Sequence, residues 1–453
     1  MRLALPALML LALGAALLVG LPVGVVLIAV AFLFAGLGVM TGLVRSDDIG
    51  AIFLRIYGTL SDRDEIVYAA VPMLLFMGAI LHETGLAADL LAGVTRAFGR
   101  MRGGPAVATI AVGALQAPAA GMIGASTGAL ALYALPALER QGYRTEQAAG
   151  LVAAAGTLGV IAPPGIMLFF IADAIGAQVP ALFLAMLGPL ALLLLLYLGY
   201  SIMLGSPAAA PATPQTKGVF AGALLCAGLM VALVGIVASG LATLSEAAAL
   251  AAVGAVLAGA ARGRVTWRAL DVAIRRTALI GAMVFFIFAG ASVFSLVFRL
   301  LGGQEMVSTA AAMLGSRGAS ALLAALVFVF ILGFFLDWLE IVVIALPVLA
   351  ATLIAGIAER LGNAQLAACW LGALFAINLQ TSFLTPPFGY ALFLVHGATG
   401  GRAGLFEVWR GALPYLALQL VTLVAVLAIP ELATWLPGQL LDLSVPKGPK
   451  FNE

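Results

Sequence analysis

Charged residues, histidine and cysteine are scarce in this sequence of 453 residues. Only 9% of the residues are Asp, Glu, Lys or Arg, whereas 64% are hydrophobic. A soluble globular domain has about 25% charged residues, so the composition excludes that class. The net charge of +2 and the scattered basic residues leave no concentrated positive surface, which excludes nucleic acid as a partner. The hydrophobic residues are numerous enough for many membrane-spanning helices of about 20 residues each.

The two cysteines lie in apolar segments without polar neighbours. The sequence therefore predicts neither a disulfide framework nor a metal cluster, and Cys226 and Cys369 are interpreted as packing residues. The hydrophobic stretch at the start continues to Gly42, which is longer than a cleavable signal peptide, and it predicts two retained crossings. Eight further apolar runs bring the prediction to about ten crossings, all helical: 67–85, 145–178, 180–204, 218–239, 243–261, 277–301, 364–397 and 411–435.

A polar, proline-rich segment divides the chain into two halves. Residues 205–217 are predicted to be a linker between residues 1–204 and 218–453. The segment 262–276 has five arginines against one aspartate, so the positive-inside rule predicts a cytoplasmic position for it. Counting crossings from that segment also places the linker in the cytoplasm.

Two stretches are too short for pairs of crossings. Residues 104–138 have basic flanks, and ten of the thirteen residues in 117–129 are Ala, Gly, Ser or Thr, which favours a turn over a continuous helix. We predict a re-entrant hairpin from the cytoplasmic side, with its tip near 121–126. Residues 318–357 predict a second hairpin from the opposite face, with Asp337 and Glu340 near its tip, away from lipid.

The same two landmarks follow each hairpin. Ala-Leu-Pro occurs at 134–136 and 345–347, and Pro-Pro occurs at 163–164 and 386–387. This order predicts a duplication, and the opposite entry of the hairpins makes the two repeats inverted. Proline has no amide hydrogen, so each doublet predicts an interrupted helix whose freed carbonyl groups line a cavity. Paired interruptions in inverted repeats indicate the binding site of a transporter.

Oxygen-bearing side chains surround the predicted interruptions. Hydroxyl groups of Ser126, Thr157, Thr381 and Ser382, with the amide of Asn378, would join the freed carbonyls in a set of hard oxygen ligands suited to Na⁺. The N-termini of the half-helices would favour a carboxylate.

The motifs at these positions resemble those of a known transporter family. They are Gly-Thr-Leu-Gly-Val-Ile-Ala-Pro-Pro at 156–164, Leu-Gly-Phe-Phe-Leu-Asp at 332–337 and Leu-Thr-Pro-Pro-Phe-Gly at 384–389. Over nearly its whole length the sequence resembles the large membrane subunit, of the DctM type, of tripartite ATP-independent periplasmic (TRAP) transporters.

The resemblance implies an all-α polytopic protein of the bacterial inner membrane, with a scaffold and a mobile transport domain that moves like an elevator. It implies Na⁺-driven uptake of a small organic acid, with a small four-helix subunit (DctQ type) and a periplasmic binding protein (DctP type) as partners, and no enzyme activity. It implies two Na⁺ sites: one formed by Ser126, Gly156, Thr157, Gly159, Ile161 and Pro163, and one formed by Asp337, Thr381, Leu384 and Pro386. Residues expected along the substrate path are Gly121, Glu340, Asn378 and Ser382. The family's Ser-Gly-Ser-Ser hairpin tip is replaced by the sequence at 119–126.

Three alternatives stay open at this point. Asp337 and Glu340 could relay protons in place of Na⁺ ligation. Residues 124–128 match the Gly-x-Ser-x-Gly pattern of a serine hydrolase, with His82 or His396 as the base, although a strand-to-helix turn is required for that chemistry. Discontinuous helices also occur in passive channels.

Overall fold

The protein is helical throughout the ranges that the structure describes. The computed structural model describes residues 4–18, 21–45, 50, 69–98, 103–115, 123–204, 219–303, 305–306, 309, 319–334, 336–386 and 389–441. Within these ranges there are eighteen α-helices and no strand.

The helices of the first half are α1 (Ala4–Leu18), α2 (Val23–Met40), α3 (Ala70–Glu83), α4 (Leu86–Phe98), α5 (Gly104–Leu115), α6 (Ile123–Arg140), α7 (Thr145–Ile161), α8 (Ile166–Ile175) and α9 (Val179–Leu204). Those of the second half are α10 (Val219–Ala238), α11 (Leu244–Ala261), α12 (Trp267–Leu300), α13 (Ala319–Leu332), α14 (Trp338–Leu361), α15 (Ala364–Ser382), α16 (Tyr390–Ala398), α17 (Leu405–Ala428) and α18 (Glu431–Leu440). The predicted linker 205–217 lies outside the described residues.

Several helices are long and apolar enough to cross a membrane. Within the described ranges seven helices meet this condition, or up to nine candidate spans if each strongly bent pair counts as one. Helix α1, with 15 described residues, is shorter than a full crossing of about 20 residues. The number of about ten crossings stays a prediction, since parts of the chain lie outside the described residues.

The helices pack as two groups. In one group α1, α2, α3, α4, α10, α11 and α12 pack together, and in the other α5 to α9 pack with α13 to α18. The two groups also contact each other, where α4 packs on α5 and α12 packs on α14. Glycines allow the closest crossing within the second group: a Cβ on Gly150 of α7 would lie 2.5 Å from the backbone nitrogen of Ala412 in α17. Small residues permit such close approach between apolar helices. The grouping agrees with a scaffold and a transport domain, a division that stays a prediction.

An ion cluster joins α4 to the connection between α11 and α12. The Arg264 guanidinium donates to Asp89 Oδ2 at 2.7 Å and to the Thr84 carbonyl oxygen at 3.3 Å, and Arg262 lies 3.5 Å from the same carboxylate. Thr266 accepts the Ala269 amide at the start of α12, so only the first five residues of the basic segment 262–276 precede that helix. The remaining arginines of 262–276 therefore lie on the first turns of a helix of 34 residues.

The two predicted hairpins each consist of two helices. In the first, α5 has 12 residues and α6 has 18, and residues 116–122 between them lie outside the described part. Residues 123–126 form the first turn of α6, so the tip predicted near 121–126 overlaps the start of this helix, and the rest of the predicted turn lies outside the described residues. Thr127 of α6 packs closely on Gly156 of α7. In the second, α13 ends at Leu332 and α14 continues past the predicted boundary at 357 to Leu361, with Pro347 inside the helix.

The second arm of each hairpin packs on both broken helices. Helix α6 contacts α7 and α16, and α14 contacts α15 and α8. Each arm thus contacts the long half of one broken helix and the short half of the other. A duplicated unit is expected to have this reciprocal packing, whereas the inverted orientation of the repeats stays a prediction.

Candidate functional site at the two helix breaks

The first proline doublet separates α7 from α8 as predicted. Helix α7 ends at Ile161, α8 begins at Ile166, and their axes differ by 48°. The carbonyl groups of Gly159 and Val160 face Pro163 and Pro164, the residues four positions later, which have no amide hydrogen. A Cβ on Gly165 would lie 2.9 Å from the Ala162 oxygen and 3.2 Å from the Gly159 oxygen. Several backbone oxygens therefore converge where residue 165 has no side chain.

The second break lies between α15 and α16 and is richer in hydroxyl groups. After Ser382, amide groups bond to the third residue back, as in the 3.1 Å bond from the Leu384 nitrogen to the Thr381 oxygen. The Thr381 hydroxyl donates to the Asn378 carbonyl at 2.6 Å, and the Ser382 hydroxyl donates to the Leu379 carbonyl at 2.7 Å. Since the protons of these hydroxyls point back along the helix, their lone pairs face elsewhere. Pro386 lies in the break, and the next two residues lie outside the described part.

The first arm and the turn of the second hairpin touch this break. Asn378 donates from Nδ2 to the Leu326 carbonyl oxygen of α13 at 2.8 Å. A Cβ on Gly333, in the turn after α13, would lie 2.7 Å from Ser382 Cβ. On the first hairpin, a Cβ on Gly156 would lie 2.8 Å from Thr127 Cβ. Each break is therefore in van der Waals contact with one hairpin.

One side-chain hydrogen bond joins the two broken helices. Gln380 of α15 donates from Nε2 to Thr157 Oγ1 of α7 at 3.2 Å, and both side chains are fully buried. The bond connects residues 223 positions apart in the sequence. The bond thus connects Thr157 of the first predicted cation site to the residue that precedes Thr381 of the second.

The acidic pair lies at the start of α14. Asp337 is the N-cap residue, with extended backbone and no side-chain capping bond, and Glu340 in the first turn is buried. Trp338 packs on Phe170 of α8, with ring centroids 6.2 Å apart. The start of α14 therefore lies beside the short half of the first broken helix. The field of a helix N-terminus favours a carboxylate at this position.

The predicted residues fall into three groups. Gly156, Thr157, Gly159, Ile161 and Pro163 lie together along the last turns of α7 and in the first break, and Asn378, Thr381, Ser382, Leu384 and Pro386 do so at the second. Ile161 and Leu384 have hydrocarbon side chains, so they would contribute carbonyl oxygens only. Ser126 lies in the first turn of α6, and Gly121 lies outside the described residues. Their roles as ligands stay predictions.

Sequence reasoning missed Thr127 and Gln380. Both side chains are completely buried next to predicted site residues. The available signal was a polar side chain in a helix that is buried on all sides: α15 is buried almost continuously from residue 367 to residue 382. Such a side chain requires a polar partner inside the protein, because lipid and apolar side chains provide none.

The geometry required of a serine hydrolase is absent at residues 124–128. They lie inside α6, a continuous helix, whereas a nucleophile elbow joins a strand to a helix. His396 lies on α16, where its Nδ1 is 3.0 Å from the Ala403 carbonyl oxygen. The helical packing and the paired breaks instead define a polytopic membrane protein with discontinuous helices, which is the architecture of secondary transporters.

Comparison with known proteins gives the family. Residues 9–432 match the DctM component of the tripartite ATP-independent periplasmic transporters. The chain is 29% identical over 410 residues to the C4-dicarboxylate TRAP transporter large permease protein DctM of Pseudomonas aeruginosa, covering 89% of this chain and 93% of that protein. It is 26% identical over 424 residues to the 2,3-diketo-L-gulonate TRAP transporter large permease protein YiaN of Escherichia coli, covering 91% and 94% respectively.

A third relative carries a longer chain. The isethionate TRAP transporter permease protein DctMQ of Oleidesulfovibrio alaskensis is 27% identical over 385 residues, which cover 83% of this chain and 59% of that protein. The match over almost all of the sequence shows that this chain belongs to the DctM family of TRAP transporter large permeases. It is a transporter subunit rather than an enzyme, and a multi-pass protein of the bacterial inner membrane. Membership also implies a substrate-binding protein and a small membrane subunit as partners.

Proposed function

We propose that this chain is the transport subunit of a Na⁺-coupled importer of a small organic acid. A periplasmic binding protein delivers the acid, and the transport domain carries it across the membrane by elevator-type alternating access. The observation that carries the proposal is the pair of broken helices held together by the bond from Gln380 to Thr157. Carbonyl and hydroxyl oxygens collect at both breaks, and these are the ligand types that a hard cation prefers.

The acidic substrate follows from two further observations. The short helices α8 and α16 begin at the breaks, and a helix N-terminus attracts negative charge. The names of the three relatives specify a C4-dicarboxylate, 2,3-diketo-L-gulonate and isethionate, all of them anions. Two cations bound beside such an anion would reduce the cost of holding its charge at membrane depth.

Re-entrant hairpins in an elevator are supported by helix length. At 1.5 Å per residue, α5 is about 18 Å long and α13 about 21 Å, which is shorter than the hydrocarbon core of about 30 Å. Both helices pack inside the second group and touch the broken helices α7 and α15. In this arrangement the hairpins would close the site on either side as the group moves.

Uptake into proteoliposomes tests the proposal. The vesicles contain this chain and its small membrane partner, and the binding protein is added outside with a radiolabelled C4-dicarboxylate, 2,3-diketo-L-gulonate or isethionate. We expect accumulation above the outside concentration only with both an inward Na⁺ gradient and the binding protein. Accumulation in choline chloride, or without the binding protein, would refute the coupling or the tripartite mode respectively. Equilibration without accumulation would identify a channel.

A proton-coupled importer is the second candidate. The observation that favours it is the buried Glu340 one turn from Asp337, since intramembrane carboxylates often relay protons. In the same vesicles an inward proton gradient without Na⁺ would then drive accumulation, and Glu340→Gln would abolish it. For a Na⁺-coupled importer, Glu340→Gln leaves the requirement for Na⁺ in place and the proton gradient alone has no effect.

A further inference from the structure

Gln380 is positioned between the two breaks by a bond whose direction is determined. The Thr157 hydroxyl donates its single proton to the Ala154 carbonyl oxygen at 2.8 Å. It can therefore only accept from Gln380, which must present its NH₂ group. The hydroxyl thus fixes which end of the amide faces α7.

This orientation leaves the Gln380 carbonyl oxygen pointing away from Thr157. Gln380 Oε1 is buried and has no hydrogen-bond partner among the described residues. An unsatisfied buried acceptor costs about 1–3 kcal/mol, so its retention requires an explanation, and a bound ligand is one such explanation. The neighbouring Thr127 hydroxyl, packed on Gly156, is likewise buried and without a partner among the described residues.

The position of this oxygen indicates what it binds. Gln380 lies in the last turn of α15, at the end of the helix that borders the second break. Its buried Oε1 has no donor among the described residues, and the hydroxyl protons of Thr381 and Ser382 in the same turn are directed back to Asn378 and Leu379. Amide carbonyl and hydroxyl oxygens are ligands for hard cations, whereas an anion would be repelled by them.

We propose that Gln380 couples the two cation sites of the transporter. Its Oε1 is an oxygen ligand for the cation at the second break, directly or through one water. Its Nε2 donates to Thr157 beside the first break, so that a cation bound at one break affects the geometry at the other. A cation at either break orders the same amide, so the second cation binds to an arrangement that is already formed. This inference rests on the proposed Na⁺ coupling and adds cooperativity between the sites, with Gln380 as the residue responsible.

Na⁺ binding to the purified chain in nanodiscs tests this directly. The unfolding temperature is measured during a titration with NaCl, while choline chloride keeps the ionic strength constant. We expect a sigmoidal dependence with a Hill coefficient above 1 for the unmodified chain. Gln380→Met keeps the length of the side chain and removes its amide. It should raise the Na⁺ concentration at the midpoint roughly tenfold, a change within the usual range of coupling between two sites. It should also reduce the Hill coefficient to about 1, because the sites are then independent.

The partner residue provides the second pair of variants. Thr157→Val removes the hydroxyl at nearly constant volume and should also bring the Hill coefficient to about 1, whereas Thr157→Ser keeps the hydroxyl and should retain cooperativity. Gln419→Met is the matched control, because Gln419 is a fully buried glutamine on α17, outside the breaks. That variant should leave the Hill coefficient unchanged, because it removes a buried amide that belongs to neither break.

The outcomes separate this inference from the proposed function. If the unmodified chain shows no stabilisation by Na⁺ beyond that by choline, Na⁺ coupling itself is wrong and the inference falls with it. If the unmodified chain binds Na⁺ cooperatively and folded Gln380→Met and Thr157→Val do so equally, only the role of Gln380 is refuted. If Gln380→Met fails to fold, the comparison of Thr157→Val with Thr157→Ser decides: equal cooperativity in these two variants refutes the link.

Discussion

Each of the two helix breaks is caused by a Pro-Pro pair, but the two breaks offer different oxygen ligands. At the first break, the backbone oxygens of Gly159, Val160 and Ala162 crowd around Gly165, and Thr157 is the nearby hydroxyl on α7. At the second, Thr381, Ser382 and Thr385 each donate to a helix carbonyl, at 2.6 to 2.7 Å. The comparison shows that proline interrupts the helix, whereas the neighbouring residues decide which oxygens become available. The first break offers mainly carbonyl oxygens, and the second offers hydroxyl oxygens with their protons already engaged.

The hairpin arms are also attached to the two breaks differently. On the first side a Cβ on Gly113 of α5 would lie 2.7 Å from the carbonyl carbon of Ala155, so the contact depends on the absence of a side chain. On the second side the contact depends on the hydrogen bond from Asn378 to the Leu326 carbonyl. One attachment is steric and the other is polar, and substitutions should therefore disrupt them in different ways.

The largest effect is expected at Gly165. In Gly165→Ala the new methyl group meets fixed backbone oxygens, which cannot move as a flexible side chain can. Overpacking of this kind costs about 1–3 kcal/mol, and the oxygens of the first break would be displaced. We expect a lower unfolding temperature and a loss of uptake of more than about tenfold, since a displacement near the site is costly to function.

Gly397→Ala provides the control for this substitution. Gly397 lies on the short helix α16, and a Cβ there meets no atom within 4 Å. Its uptake and unfolding temperature should not fall, because alanine is a better helix former than glycine. Normal uptake by Gly165→Ala would show that the crowded oxygens of the first break are not needed for transport.

An intermediate effect is expected at Asn378. In Asn378→Leu the Leu326 carbonyl loses the buried amide that donates to it, which costs about 1–3 kcal/mol. The arm α13 would then be held less firmly against the second break, and uptake by the folded protein should fall several-fold. Thermal unfolding and uptake per folded molecule measure the two effects separately.

Gln365→Leu is the matched variant at the other end of the same helix. Gln365 bonds to the backbone of residues 176 and 178, away from both breaks. It should lower the unfolding temperature to a similar extent while leaving uptake per folded molecule unchanged. If both variants reduce uptake equally, the polar attachment of α13 has no particular role.

The smallest effect is expected at Ser382. Ser382→Ala keeps the Cβ that packs on Gly333 and removes one hydroxyl whose bond lies within its own helix. Stability should change by less than about 1 kcal/mol, because a local hydrogen bond contributes little net energy. The Na⁺ concentration for half-maximal uptake should rise a few-fold if the hydroxyls of the second break hold a cation.

Thr352→Val is the control for the loss of a hydroxyl. Thr352 donates to carbonyl oxygens of its own helix α14, at 2.9 and 3.2 Å, and lies four turns from Asp337. Its Na⁺ dependence should match that of the unmodified chain. An unchanged Na⁺ dependence in Ser382→Ala would instead indicate that carbonyl oxygens alone serve the second break.

The positions of both helix breaks could be predicted from the local sequence. The interruptions at 162–165 and after Ser382 were predicted, because proline cannot complete the helical ladder whatever surrounds it. The extent of the hairpin helices was predicted less well. The tip of the first hairpin was predicted near 121–126, yet α6 already begins at Ile123, because small residues permit close helix packing as well as a turn, and only the neighbouring α7 decides between the two.

The sequence by itself determined that this is a helical membrane protein with two broken helices. Hydrocarbon offers no hydrogen bonds, so a chain this apolar must satisfy its backbone internally, and proline prevents this at the two doublets. The tertiary structure decided which polar groups meet at those points. Gln380 and Thr157 are 223 residues apart, and no local pattern specifies such a contact, because it depends on how two separate helices pack.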